Sequence, residues 1–355
     1  MPTRNTRRRR ASASEREADI PLVNDLTESL EPRSKRTERR RRKLGRKVKD
    51  SAATEPRGFL DLPYEILMTI LIILRPSDIF ALSSVSRPLR TFILEEQGSI
   101  CKCVIDLRYS TIERCFLRPV LMKDLDPSVC AILQNPGRTE LLAARRRPYQ
   151  HIQSPDASFI CTCLTCLPRW NFLCIVVDFA YWQDNLDNGE PIPMVSRGTF
   201  PAWNQDLLTR NARIVVKSLT SPLWYARVLE AHLDSTTRSI RRHGQNKGNK
   251  RRRFRMTDED VRAGTDTFLE RGGPPTVEFP YHRDNYYMLE AFLPNRSWLT
   301  EEQRWAYLPA EQHDKDVEIA VRWDAIRKQQ DQQDEPAQPE GARAVLVQPR
   351  ALENC

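Results

Sequence analysis

Glycine is scarce in this chain, at 12 of 355 residues. None falls in a G-x-x-x-x-G-K or G-x-G-x-x-G pattern, so neither phosphate-cradling loop is available. Histidine is scarcer, at five, and none stands with a visible nucleophile partner; hydrolase, kinase and nucleotide-binding signatures are all absent. No stretch of about 20 uninterrupted apolar residues exists, which rejects a membrane span. The N-terminus, MPTRNTRRRRASASEREADI, has no apolar segment of the secretory kind. Glu15, Glu17 and Asp19 also break the acid-poor pattern of a mitochondrial presequence. No 20- to 50-residue period recurs, which leaves WD40, kelch and leucine-rich arrays unsupported. The nine cysteines are an odd number in a long chain without a secretion signal. They predict reduced thiols or metal ligands, not a disulfide frame.

Charge is plentiful but uneven. Residues 1–57 hold 18 Lys and Arg against 9 Asp and Glu, which accounts for the whole net charge of +9. The rest of the chain is balanced at 38 of each sign. The basic excess therefore belongs to a tail and not to a folded nucleic-acid-binding domain. Residues 1–56 are nearly empty of aromatics and rich in Arg, Ser and Glu, a composition that predicts disorder. Two basic runs within it, RRRR at 7–10 and KRTERRRRKLGRKVK at 35–49, suit the acidic grooves of nuclear import receptors or a phosphate backbone. A nuclear or nucleo-cytoplasmic location is the expectation. RRAS places Ser12 after an Arg pair, a pattern read by basophilic kinases.

The most apolar stretch is LDLPYEILMTILIILRPSDIFALSSVSRPLR, residues 60–90. Glu65 and the Arg75-Pro76-Ser77-Asp78 break interrupt the run, and the block divides into three short helices. Pro63 supplies the fixed φ of an opening turn, and Glu65 places negative charge at the positive end of the helix dipole. Ile66, Leu67, Ile70, Leu71 and Leu74 then fall on one broad face. Arg75-Pro76 ends the first helix, Ser77 caps the second, and Ser86 caps the third with Pro88 in its first turn. Three such helices in about 40 residues are too small to be stable alone. They also hold more aliphatic side chains than mutual packing can hide, which marks a partner surface.

These residues resemble an F-box. The match is carried by Leu62-Pro63, Glu65-Ile66, Ile70, Leu74, Asp78-Ile79, Leu82, Val85-Ser86-Arg87 and Arg90, in order and spacing across some 40 residues. Leu89 departs from the family, which often has Trp or another aromatic there. The resemblance implies a module that binds a Skp-family adaptor and through it a cullin and a RING subunit. The rest of the chain would then present a protein substrate for ubiquitination. On this reading the chain is not an enzyme: it raises the local concentration of substrate lysines near a charged conjugating enzyme. The implied adaptor-binding residues are Leu62, Pro63, Ile66, Ile70, Leu74, Ile79, Leu82 and Val85. Two alternatives stay open: a nuclear, chromatin- or nucleic-acid-associated protein using its basic segments, or an F-box protein acting outside a ligase. A nucleic-acid binder would lose affinity steeply with salt.

The expected organisation is a basic tail at 1–56, the F-box at 57–98, an α-rich recognition domain with minor strand content at 99–330, and a flexible tail at 331–355. Residues 126–158 read as loop. Trp170, Leu173, Cys174, Val177 and Tyr181 fall at helical spacing and predict a buried helix. Asp178 on it reads as surface-facing, with a buried acid as the alternative. Further helices are expected at about 203–219 and 222–240, with Pro222 opening the second. RRHGQNKGNKRRRFR, 241–255, reads as an exposed basic loop. Thr257 is expected to cap a helix stopped by Gly272, TVEFP at 276–280 to form a short strand, and Thr300 with Gln303 to form a capping box. Cys161, Cys163, Cys166 and Cys174, spaced C-x-C-x₂-C-x₇-C, are candidate ligands of one structural zinc, because a C-x₂-C turn is the usual two-ligand knuckle. Cys101, Cys103 and His151 are candidates to complete such a site in space. The alternative is a set of reduced, buried thiols.

Overall fold

A computed structural model describes residues 58–138, 149–245, 256–271, 282–288 and 291–334, with a few isolated positions besides. The basic runs, the greater part of the expected loop at 241–255, the TVEFP strand but for its last residue, and residues 335–355 lie outside them. Among the described residues the fold is mainly helical, with one two-stranded sheet, and no helix is long and apolar enough to cross a membrane. Two compact units divide the chain. The first takes Met1–Leu117, Pro148–Ser154 and Trp170–Leu308; the second takes Arg118–Arg147, Pro155–Arg169 and Pro309–Cys355. The expected boundary at 98 does not divide the structure, because the third apolar helix runs straight through it.

In the first unit, a single 3₁₀ turn at Phe59–Asp61 leads into α1 (Tyr64–Ile73), α2 (Pro76–Ser83) and α3 (Arg87–Arg108). Pro63 sits at the N-cap of α1 with extended geometry, and its carbonyl accepts from Leu67 N at 3.1 Å. α2 begins one residue earlier than expected. Pro76 occupies the first turn, and Asp78 Oδ2 accepts from Arg75 N at 3.4 Å. Ser77 is thus free of capping duty. Ser86 does cap α3, its Oγ accepting from Leu89 N at 3.4 Å. α3 is not short: it continues over 22 residues because Ile93, Ile100, Cys101, Val104 and Ile105 keep one buried stripe at helical spacing.

α4 (Ser110–Cys115), α6 (Cys166–Tyr181, of which 170–181 belong here), α7 (Gln183–Asn188), α8 (Ala202–Thr220) and α9 (Pro222–Gln245) complete the helical body. Pro222 opens α9 as expected, and α9 absorbs residues 241–245 of the expected basic loop. It packs against α2, α3 and α8. Thr257 caps α10 (Asp258–Ala263), accepting from Asp260 N at 3.2 Å. That helix stops at Gly264, not Gly272, because Gly264 takes a left-handed φ of 59°. The expected capping box at Thr300 and Gln303 is instead a hairpin turn. β1 (Arg296–Leu299) and β2 (Arg304–Tyr307) pair antiparallel, Trp298 opposite Trp305. The two indoles meet edge to face at 5.1 Å, a cross-strand contact that outweighs the helical reading of T-x-x-Q.

The same unit holds a buried polar cluster. Asp178 is not surface-facing but fully buried, since its carboxylate meets Arg283 at 3.0 Å and accepts from Tyr286 Oη at 3.1 Å and Asn211 Nδ2 at 3.2 Å.

The second unit is smaller. An isolated bridge pairs Leu121 with Ile160. α5 (Pro127–Leu133) lies where a loop was expected, because Asp126 caps it through Ser128 N at 2.8 Å and Pro127 suits its first turn. α5 packs against α11 (Gln312–Asp334). The first turn of α6, from Cys166, also belongs to this unit.

Candidate functional site

Two constellations stand out, one in each unit. The first is the outer surface of α1 and α2. Amphipathic spacing sends Leu67, Leu71 and Ile79 inward, while Leu62, Tyr64, Ile66, Ile73 and Val85 remain exposed, Ile66 at 48% and Val85 at 73%. Pro63 is exposed as well; Ile70, Leu74 and Leu82 are half-buried. Of the eight residues put forward for adaptor contact, seven therefore keep surface on offer. Ile79 does not: it is fully buried in the chain's own core and is removed from the set. Leu89, where the resemblance departs, is also core.

The inner side of this surface is held by distant sequence. Ser77 donates its backbone N–H to Glu230 Oε2 at 2.9 Å and its hydroxyl to Glu230 Oε1 at 2.7 Å. Glu230, on α9, is buried and also meets Arg227 at 3.2 Å. A carboxylate at this place satisfies an orphan N–H of α2 and lies at the positive end of its dipole. Phe80 packs edge to face on Trp224 at 5.0 Å. The Arg108 guanidinium, near the end of α3, donates to Ile73 O at 2.5 Å.

The second constellation lies in the second unit. Cys161, Cys163, Cys166 and His313 are all buried, with their ligand atoms within 4.8 Å of one another. His313 Nδ1 stands 4.0 Å from Cys161 Sγ, 3.4 Å from Cys163 Sγ and 3.3 Å from Cys166 Sγ. A tetrahedral ion with metal–sulfur bonds of about 2.3 Å and a metal–nitrogen bond of about 2.0–2.1 Å sets nitrogen about 3.6 Å from each sulfur. The observed distances straddle that value, so the cluster could hold a metal ion. Backbone donors aim at every sulfur: Cys163 N at Cys161 Sγ (3.4 Å), Cys166 N at Cys163 Sγ (3.3 Å) and Val120 N at Cys166 Sγ (3.4 Å). Hydrogen bonds from Cys161 and Cys166 pull the Cys163 thiol well below the usual thiol range, while hydrogen bonds with Cys161 and Cys163, together with burial, push Cys166 upward. Arg138 is half-buried beside them, donating to Thr162 Oγ1 at 2.9 Å. Burial lowers its pKa, opposed by the Cys161 and Cys163 sulfurs.

Three of these four candidate ligands are those the sequence puts forward; His313 is not among them. Cys174 is not the fourth: it lies eight residues beyond Cys166 on the same helix, about 12 Å along the axis. Its thiol is buried in the first unit, and that burial pushes its pKa up. Cys101, Cys103 and His151 also belong to the first unit and are not part of the cluster. His313 is positioned by its neighbours on α11. Asp316 accepts from Thr165 Oγ1 at 2.5 Å and Gln312 Nε2 at 3.1 Å, and Arg169 donates to Ala310 O at 3.3 Å.

Residues 59–97 match the family model of the F-box domain. No curated protein and no solved structure matches the chain. The match covers the apolar block and ends within α3; F-box domains bind the Skp adaptor and thereby a cullin.

Proposed function

We propose that this chain, which carries an F-box domain over residues 59–97, is the substrate-recognition subunit of a Skp–cullin–F-box ubiquitin ligase. It takes no part in bond making; it holds a protein substrate near a charged conjugating enzyme and acts through proximity supplied in trans. The observation that carries this reading is the set of aliphatic groups left outside at the entry of α1: Leu62, Pro63 and Ile66 on one short stretch, none consumed by the chain's own core. Truncating a fully desolvated interface aliphatic costs on the order of 2 kcal/mol, about thirtyfold in affinity. The Leu62→Ala/Pro63→Ala double variant is expected to lose adaptor and cullin at matched expression while circular dichroism stays that of the parent. A folded double variant with parental adaptor affinity refutes the reading.

The basic runs of residues 1–56 support nuclear import in this scheme, and KRRRFR at 250–255 supports a second signal. A fluorescent fusion lacking both segments is expected to leave the nucleus. Retention there excludes import through them.

The cofactor in this reading is one structural zinc ion at Cys161, Cys163, Cys166 and His313. Three sulfurs and one imidazole close a tetrahedron with no open position, which suits a structural and not a catalytic ion. Metal analysis of tag-free protein under reducing conditions is expected to give one zinc per chain, and a value near zero removes the ion.

A further inference from the structure

We infer that the second unit is a metal-dependent folding module: it is ordered when the Cys161–Cys163–Cys166–His313 site is loaded and loses its packing when the ion is withdrawn, while the first unit stays folded. This rests on the zinc reading above and adds what the ion does. Three observations carry it.

The core of this unit is thin. Among its described residues the buried apolar side chains are Leu121, Met122, Leu133 and Ile160, and beside them the three candidate ligand cysteines themselves; Val120, Leu125, Val129, Cys130, Val317 and Ala320 pack against this cluster only partly buried. Nearly half of the buried set is thus a set of ligands. Stripped of an ion, their sulfurs would be polar groups gathered in one place, and four buried apolar side chains with a partly buried rim make too small a core to hold the unit together. The first unit, by contrast, buries long stripes on α3, α6, α8 and α9.

The ligands come from distant sequence. Cys161, Cys163 and Cys166 lie within six residues, while His313 follows 147 residues after Cys166. A site assembled from such separated segments does not pre-exist in the unfolded chain, so the binding free energy of the ion appears as folding free energy. His313 stands in the first turn of α11, and the ion is the point at which that helix is tied to the cysteine segment.

The surroundings are built for a charged centre. Three thiolates, a neutral imidazole and a divalent ion sum to one negative charge. The half-buried guanidinium of Arg138 supplies one positive charge beside it, and each sulfur has its own backbone N–H donor. Ordinary buried thiols need neither, whereas ligand sulfurs in structural sites use both.

The test is hydrogen–deuterium exchange on the full chain, purified with zinc and again after the ion is removed by a high-affinity chelator under reducing conditions, with zinc content measured in both samples. At free zinc one hundredfold above Kd, the loaded state is favoured about a hundredfold over any state that cannot bind. Removal is expected to raise exchange by up to about that factor in peptides from 118–138, 155–169 and 312–334, leaving α1 and α2 protected. Re-addition of zinc is expected to restore protection. His313→Ala is expected to reproduce the stripped pattern even with zinc present, whereas His313→Cys, which keeps four ligands, is expected to retain both ion and protection. One zinc per chain with exchange unchanged on its removal overturns the folding module and leaves the zinc site standing. Absence of zinc from the purified protein, with these peptides protected, overturns both.

Discussion

The two units of this protein are held by different physics. The first rests on area: apolar stripes on long helices, one buried ion pair, and a hairpin pinned by two indoles. The second, in the reading proposed above, rests on a few atoms placed at one point. A large apolar core spreads its stability over many side chains, so that no single truncation removes most of it. A small unit closed by an ion concentrates its stability, and one ligand decides whether it exists. The proposed adaptor-facing surface belongs to the distributed unit, and the candidate ligand cluster belongs to the concentrated one. Damage to one therefore need not be read in the other.

That separation can be broken in several ways. Asp178→Ala strands Arg283 as an unpaired buried charge in the first unit. It is expected to lower the unfolding free energy by roughly 3–5 kcal/mol, measured in denaturant, while zinc content stays unchanged. A fall in zinc content would show that the units are coupled. Next comes Ile79→Ala, expected to cost roughly 2–5 kcal/mol of stability through its cavity. Ile66→Ala, on the outside of α1, is expected to leave stability nearly unchanged and weaken adaptor binding. Reversal of these two outcomes would mean that the surface and core assignments of α1 and α2 are exchanged.

Acid probes the first unit by another route. Burial pulls both His151 and His232 down to about 4 from the ordinary 6.5. A histidine lowered on folding gives stability that is complete above pH 6.5 and is lost as pH falls toward 4, because the unfolded chain takes up the proton first. Burial raises Asp266 to about 6 from 3.8, which works in the opposite sense: between pH 6 and 4 the folded state binds the proton more readily and gains. One histidine is roughly offset, and a net loss on the order of 3 kcal/mol by pH 4 is expected. Chemical denaturation followed by near-ultraviolet circular dichroism across that range measures it. A flat profile would mean that the two imidazoles are hydrated. The smallest effect is expected from Arg138→Gln, which removes the compensating charge but no ligand: about tenfold weaker zinc binding in a competition titration. A loss as large as that of His313→Ala would make Arg138 part of the scaffold itself.

Local chemistry made much of the fold readable. Prolines at helix entries located α1 and α9, hydroxyl caps located α3 and α10, and helical spacing located α6. What escaped was set by partners far along the chain. Nothing near AEQHDKD marks His313 as a ligand; only folding brings it to cysteines some 150 residues earlier. Cys174 was drawn in by sequence proximity, yet two turns of helix carry it away. Asp178 is buried only because Arg283, 105 residues on, meets it. At the F-box, the resemblance supplies the set of contact residues but not which members turn inward, so Ile79 stands in it beside residues that remain outside. T-x-x-Q fits a cap and a tight turn equally well, and the choice fell to Trp298 and Trp305.

The grip of Glu230 on Ser77 has a practical corollary for anyone who would treat residues 59–97 as a portable cassette. A transplant cut at the edge of the motif would sever α3 at its midpoint and leave behind the carboxylate that closes the start of α2. It would also strip away the lower half of the buried stripe, Ile100 to Ile105, on which the upper half depends for its helix. The motif is short as a text, but as an object it ends where α9 ends. A chimera that keeps its adaptor would have to inherit both.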